Sequence, residues 1–309
     1  MLPGYVKLLE TGEYSSRIES LKKHYYNCKL CPHKCGVNRM NGDKGKCRSG
    51  FIPVVASSNL HFGEEPPISG IYGSGTIFFS GCSGKCIFCQ NYPISQIGTG
   101  NEITEEQLAG MMLNLSNRGC NNINFVTPTH FLPSIVSALF IAATKGLEIP
   151  IVYNTSGYER PKIIKLLDGI IDIYLPDSKY SDDDVAREIS GFTCYVENNR
   201  SSLIEMFNQV GNLQTKNDIA LKGLIVRHLI LPGNLSGTGE VLKFLSENIS
   251  PDIYISLMDQ FFPVYKSLKH KILSKRISPD EYNNAIDIFY ENGLHNGWIQ
   301  DHTQINDAK

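Results

Sequence analysis

A parallel α/β fold is the architecture this sequence predicts, and three observations carry the prediction. Six short runs rich in β-branched and aromatic residues recur at residues 76–80 (TIFFS), 122–127, 150–154, 170–175, 224–231 and 252–257. Each is followed by a stretch carrying helix signals, the order expected of parallel strands joined by helical crossovers. The runs are continuously apolar rather than alternating, as in strands covered on both faces. Periodicity alone leaves open whether they form a doubly wound sheet or an incomplete barrel.

The helical stretches follow from their ends. Residues 104–117 open with Thr104 and, three residues on, Gln107, a capping-box pattern. Residues 133–145 stop before Gly146. Residues 160–167 carry Pro161 near the start and stop before Gly169. Residues 202–210, 239–247 and 279–291 complete the set. Residues 1–70 show no regular period and read as a Cys-rich N-terminal extension, with 64–70 (EEPPISG) as an extended linker or turn. Two units are therefore expected: a metal-binding extension over 1–70 and the α/β unit over 71–309.

Composition narrows the function classes. With 309 residues, 41% hydrophobic and 19% charged, the chain can bury a sizeable core. Lys+Arg of 29 against Asp+Glu of 31 argues against an obligate nucleic-acid binder. The N-terminus lacks a charged segment followed by an apolar run, and stretches such as 225–231 fall far short of the ~20 apolar residues that span a bilayer. A soluble, cytoplasmic protein with no membrane partner is expected.

Nine cysteines are too few, in a chain this long, for a disulfide scaffold. Seven cluster as Cys28, Cys31, Cys35 and Cys47, then Cys82, Cys86 and Cys89. In a reducing compartment such clusters more often bind metal. Cys120 and Cys194 stand alone and are expected to be small buried hydrophobes.

The second cluster, SGCSGKCIFCQNYPIS, spaces its thiols Cys-x3-Cys-x2-Cys directly after the first strand, with Gly81 and Gly84 among them. Glycines let a backbone wrap closely around a bulky group. Loops at the C-terminal ends of strands are where α/β folds place chemistry. Three cysteines at fixed spacing arise by chance in roughly 1% of chains of this composition. A zinc site completed from elsewhere is the structural alternative. A four-iron cluster takes four thiolates, so three leave one iron open.

The segment, with Phe88 before its last cysteine, resembles the signature of the radical S-adenosylmethionine (SAM) enzymes. Further segments, CPHKCGVNR (31–39), NFVTPTHFLP (124–133), DQFFPVYK (259–266) and GLHNGWIQ (293–300), make the chain similar to the activating enzymes of pyruvate formate-lyase, most closely to their uncharacterised "PflX" relatives. The resemblance implies an incomplete (β/α)6 barrel with SAM at its C-terminal mouth and a 4Fe–4S cluster on Cys82, Cys86 and Cys89. It implies a ribose contact from the turn at Asn154, Thr155, Ser156 and Gly157, and a SAM carboxylate contact from Lys179 beside Asp177. Arg227, in an apolar run where a cation needs an anionic partner, becomes a further SAM or substrate contact. The bland alternatives are an ordinary Asx/Ser turn, a solvated charge pair, and a satisfied core pair for Arg227 and His228.

Two departures stand out. Where most of these enzymes carry Gly-Gly-Glu after the second strand, this chain has Thr127-Pro128-Thr129-His130, leaving backbone carbonyls for the methionine amine. An aspartate that helps the activating enzymes bind a monovalent cation is replaced by Asn154.

The first cluster, Cys28-x2-Cys31-x3-Cys35-x11-Cys47, fits structural zinc or a closed 4Fe–4S cluster. Free thiols, a redox disulfide, or His33 in place of one cysteine are the alternatives. Lys44, Lys46 and Arg48 tune that site or face solvent. Tyr265 and Lys266 are candidate substrate contacts, and Trp298 a C-terminal anchor. The expected activity is reductive SAM cleavage with hydrogen abstraction from a glycyl radical enzyme, fed by a one-electron donor such as flavodoxin or ferredoxin. The other readings are a radical SAM enzyme acting on a small molecule or another peptide, and a non-enzymatic metal-binding or electron-transfer protein.

Overall fold

The computed structural model describes residues 2–299. The chain opens with helices α1 (Gly4–Thr11) and α2 (Glu13–Tyr26), and its first strand is β1 (Val54–His61). After the short helix α3 (Pro66–Ser69) come β2 (Ser74–Phe79), β3 (Asn101–Glu102), α4 (Glu105–Asn117), β4 (Ile123–Val126), α5 (Leu132–Thr144) and β5 (Ile151–Thr155). Then follow α6 (Pro161–Ile164), β6 (Ile173–Pro176), α7 (Asp183–Ser190), α8 (Tyr195–Val210), β7 (Gln214–Lys216) and β8 (Ile219–Leu229). Helix α9 (Thr238–Asn248), β9 (Tyr254–Met258), α10 (Pro279–Glu291) and β10 (Gly297–Ile299) finish the described chain.

Local signals placed several of these elements. Thr104 and Gln107 form the capping box of α4, and Ser278 with Glu281 forms that of α10. The strand order is β10-β9-β8-β6-β5-β4-β2-β1-β3, parallel from β2 to β10 and antiparallel where β1 meets β2 and β3. The fold is thus α/β with a partly open parallel sheet, as expected. Alternation along each strand divides the core. Tyr153, Phe125 and Val226 face the helices in one large cluster, while Val152, Ile173, Leu175 and Ile225 turn inward.

Residues 1–70 differ from the expectation of an aperiodic extension. Helix α2 lays Tyr14, Leu21 and Tyr25 into the main core, and β1 pairs with β2 along its length. The stretch read as a linker is also internal: Ile68 of α3 joins the inward cluster beside Val152 and Ile225. The polar Ser and Asn residues of β1 and the sparse apolar positions of α2 hid both from a periodicity reading. Trp298, expected as a tail anchor, lies in the added parallel strand β10 against Tyr254, with ring centroids 5.6 Å apart. Gln300 of the quoted GLHNGWIQ segment lies outside the described residues. No helix among the described residues is long and apolar enough to cross a membrane.

His228 supplies a pH dependence. Its Nδ1–H donates to the Ser178 carbonyl (2.6 Å) and its Nε2 accepts from the Thr238 hydroxyl (3.0 Å). Burial lowers its pKa to about 4. A folded pKa below the unfolded 6.5 contributes stability that is full above pH 6.5 and lost as pH falls toward 4. The unfolding free energy of His228→Gln should therefore change less than that of the parent between pH 6.5 and 4. Parallel slopes in urea titrations would contradict this.

Candidate active site

Strand β2 ends at Phe79, and the cysteine loop leaves its C-terminal end through Ser80 and Gly81. Gly81 has φ 84, and a Cβ there would lie 2.8 Å from the Cys47 carbonyl oxygen. A Cβ on Gly84 would meet the Phe192 ring at 2.6 Å. Backbone bonds from Lys85 N to Ser190 O (2.7 Å) and from Ile87 N to Ile189 O (2.9 Å) tie the loop to the end of α7. Ser267 N donates to Ile87 O (2.9 Å) from the other side. Phe88 is buried against Phe261, in a group that includes Tyr158, Tyr180 and Tyr195. Pro93–Ile97 then makes one π-helical turn, a form often found at functional sites.

None of the three thiols is in a disulfide, and each has a donor group beside its sulfur. Gly84 N lies 3.3 Å from Cys82 Sγ, Ser190 Oγ 2.9 Å from Cys86 Sγ, and Ser95 Oγ 3.2 Å from Cys89 Sγ. Burial pushes the Cys82 thiol up to about 12 and the Cys86 thiol to about 11, with Lys179 pulling both back. Such thiols ionise readily only on a cationic partner. Three free thiols on one glycine-lined loop fit a four-iron core with one iron left for an outside ligand.

Across the mouth, β5, β6 and β8 bring together the other predicted residues. Lys179 Nζ lies 2.6 Å from Asp177 Oδ2, and Arg227 Nε 2.9 Å from Asp177 Oδ1. The two cations hold the Asp177 carboxyl below its usual range against the opposing effect of burial. Arg227 Nη2 donates to Asn154 Oδ1 at 2.7 Å. Ser156 is partly exposed, and its carbonyl accepts from the Tyr195 hydroxyl (3.0 Å). Gly157 has φ 69 and would place a Cβ 2.1 Å from the Asp177 carbonyl oxygen, so only glycine lets this turn approach β6. Thr127 takes a positive φ of 59, which for a β-branched residue is a strained conformation of the kind found at ligand sites. It marks the turn expected to offer carbonyls rather than a carboxylate.

Sequence reasoning missed Glu64. Its Oε2 lies 3.8 Å from Arg227 Nη1 and accepts from Asn154 Nδ2 at 3.4 Å. Each guanidinium nitrogen of Arg227 thus has a partner from the chain, and so do both ends of the Asn154 amide. A glutamate in a Pro-rich turn reads as solvated, and nothing local signals that it enters the barrel. Tyr195 was also missed; its hydroxyl accepts from Lys179 N (3.0 Å) and holds the two turns together.

The remaining expectations divide. Tyr265 stacks on Tyr92, centroids 4.5 Å apart, three residues beyond Cys89, with Lys266 over its ring. His33 donates from Nε2 to Ser83 O (2.8 Å) rather than standing in for a cysteine. Lys44, Lys46 and Arg48 face solvent. Cys120 is buried as expected, whereas Cys194 is exposed, because it precedes α8 in a left-handed turn (φ 49) on the surface. A cavity of about 800 Å³ lined by Ile71, Tyr72, Tyr254 and Trp298 has none of the clustered cysteines in its lining.

The chain is similar to several known proteins. Residues 76–208 match the Radical SAM superfamily. An uncharacterized protein of Methanocaldococcus jannaschii is 29% identical over 266 residues, covering 82% of this chain and 71% of that protein. The pyruvate formate-lyase-activating enzyme of Clostridium pasteurianum is 24% identical over 178 residues, 56% of this chain and 68% of that enzyme. Two solved structures are also similar: HydG, a maturase of the FeFe hydrogenase (TM-score 0.45, 10% identity, covering 69% of this chain), and methylornithine synthase (TM-score 0.43, 14% identity, covering 69%). The chain spans 47% and 60% of those two, less than two thirds of either.

Proposed function

We infer that this chain is a radical SAM enzyme, as the match of residues 76–208 to that superfamily supports, that it binds a 4Fe–4S cluster through Cys82, Cys86 and Cys89 and SAM across the barrel mouth, and that it activates a glycyl radical enzyme. When bound, the cluster and SAM supply reductive cleavage of a carbon–sulfur bond, giving methionine and a 5′-deoxyadenosyl radical that abstracts hydrogen. The observation that carries the reading is the three free thiols at the end of β2 beside a largely buried Lys179–Asp177–Arg227 network at the ends of β6 and β8.

The chain's own groups divide the work. Lys179 keeps ammonium donors beyond the one turned to Asp177, so it can meet a carboxylate. Asp177 orients that ammonium and is itself held by Arg227. Asn154 and Ser156 line the turn that suits ribose hydroxyls, and the carbonyls around Thr127 suit an amine. The aromatic group of Phe88, Phe261 and Tyr195 keeps water from the loop. For a glycyl radical partner the support is the similarity to an activating enzyme. Phe262 and Leu268, exposed on the segment over the cysteine loop, add an apolar surface for a protein substrate. A low-potential flavodoxin or ferredoxin would serve as donor.

Lys179→Ala tests the site. Losing one charge-assisted hydrogen bond costs about 1.5–3 kcal/mol, so SAM affinity should fall about 10- to 150-fold while iron content stays unchanged. Equal affinity in variant and parent, by equilibrium binding, would place SAM elsewhere. For the substrate, a candidate partner should acquire a glycine-centred radical, seen by electron paramagnetic resonance, only with SAM, reductant and this chain together.

A further inference from the structure

We propose that Cys28, Cys31, Cys35 and Cys47 hold a second iron–sulfur cluster, closed by four thiolates and seated against the loop of Cys82, Cys86 and Cys89. Short-range backbone geometry gathers the four. Cys28 N donates to Val37 O (3.0 Å) and Gly36 N to Cys28 O (2.9 Å), which sets Cys28 beside Cys35. Lys34 N donates to Cys31 O (3.1 Å), closing a tight turn with Lys34 at φ 44 and Gly36 at φ 70. Gly45 passes so close that a Cβ there would stand 2.6 Å from Cys35 Sγ, which brings the segment carrying Cys47 onto the same group.

Arg39 is a second, independent observation. It is 1% exposed, and its Nη2 lies 3.3 Å from Cys47 Sγ. Its Nη1 donates to the carbonyls of His130 and Gly50. Cys47, Cys28 and Tyr25 are ionisable groups beside it. A buried guanidinium needs negative charge nearby. Neutral thiols do not supply it, and metal-bound thiolates do.

Four thiolates fit one zinc ion and a closed four-iron core alike. The adjoining loop, read above as the seat of an electron-fed cluster, favours the iron–sulfur core at this place. With four protein ligands the cluster has no free iron, so its chemistry is the gain and loss of single electrons from a low-potential one-electron donor.

Contact with the other cysteine loop is direct. His33 bonds Ser83 O, between Cys82 and Cys86, and Gly81 lies flat on the Cys47 carbonyl. A cavity of about 620 Å³ lined by Lys44, Cys47, Arg48 and Gln96 borders the same junction. The four-thiol site stands on its own residues; the choice of iron over zinc, like the identity of its neighbour, rests on the function proposed above.

Metal analysis and electron paramagnetic resonance of anaerobically purified, reconstituted protein test this. The parent should hold about eight iron atoms with matching sulfide, as two four-iron clusters require. The Cys82/Cys86/Cys89→Ala variant should keep about four, with a reduced signal that SAM does not alter. The Cys28/Cys31/Cys35/Cys47→Ala variant should also keep about four, with the SAM-sensitive signal. One zinc and about four irons in the parent would overturn the proposal. An iron-free Cys82/Cys86/Cys89 variant would overturn it too, whether or not the four-cysteine variant folds. If SAM alters neither signal while both variants keep about four irons, the second cluster stands and the SAM reading fails.

Discussion

Protein in which Cys82, Cys86 and Cys89 are all alanine is expected to form no 5′-deoxyadenosine from SAM above the reductant-only background, and to fold as the parent does. The loop that carries these residues is held by backbone bonds to Ser190, Ile189 and Ser267, by Phe88 on Phe261, and by glycines packed on Phe192 and Cys47. None of those contacts uses a sulfur. Losing the thiols therefore removes about four irons while circular dichroism and thermal midpoint stay near the parent's. Retained product formation would assign the chemistry to other residues.

Arg227→Met is expected to be the most destabilising single change at the site. The guanidinium is matched by Asp177, Asn154 and Glu64, and the side chains of Asp177 and Glu64 are 11% and 8% exposed. Removing one partner of a buried ion pair leaves charge uncompensated, at about 3–5 kcal/mol. Burial raises the Glu64 carboxyl above its usual range even with Arg227 present. Without the cation it should take up a proton, so the variant should regain stability as pH falls. Adding Glu64→Gln to Arg227→Met should recover part of the loss, and the double-mutant cycle measures how much. A Tm unchanged within 1–2 °C, where a loss of this size in a chain this long shifts Tm by several degrees, would show that water reaches the cluster of charges.

What was legible in the sequence was what local chemistry decides. The capping box of α4 lies within four residues, and the β-branched runs of β4, β5 and β6 advertise themselves. The thiol spacing of residues 82–89 needs no tertiary information. Arg227 within an apolar run announced that an anion must be near, and Asp177 was already singled out at the next strand end. The second anion, Glu64, was not legible, because its burial depends on α3 turning Ile68 into the barrel. Helix α7 went unread because it is eight residues long and opens on a run of aspartates, although Asp182 caps it with bonds to Asp184 N (2.8 Å) and Val185 N (2.9 Å). Arg39, quoted within CGVNR, gained meaning only once its burial between Cys28 and Cys47 was visible. The division of the chain at residue 70 followed composition, whereas β1 and α2 are placed by pairing and packing that no local pattern encodes.

The most direct test of the central claim mixes reduced, iron-loaded parent protein with SAM under anaerobic conditions and quantifies the products. The predicted result is 5′-deoxyadenosine and methionine in equal amounts, both lost in the Cys82/Cys86/Cys89→Ala variant. No 5′-deoxyadenosine from protein with full iron content and bound SAM, or equal amounts from the variant, would contradict it.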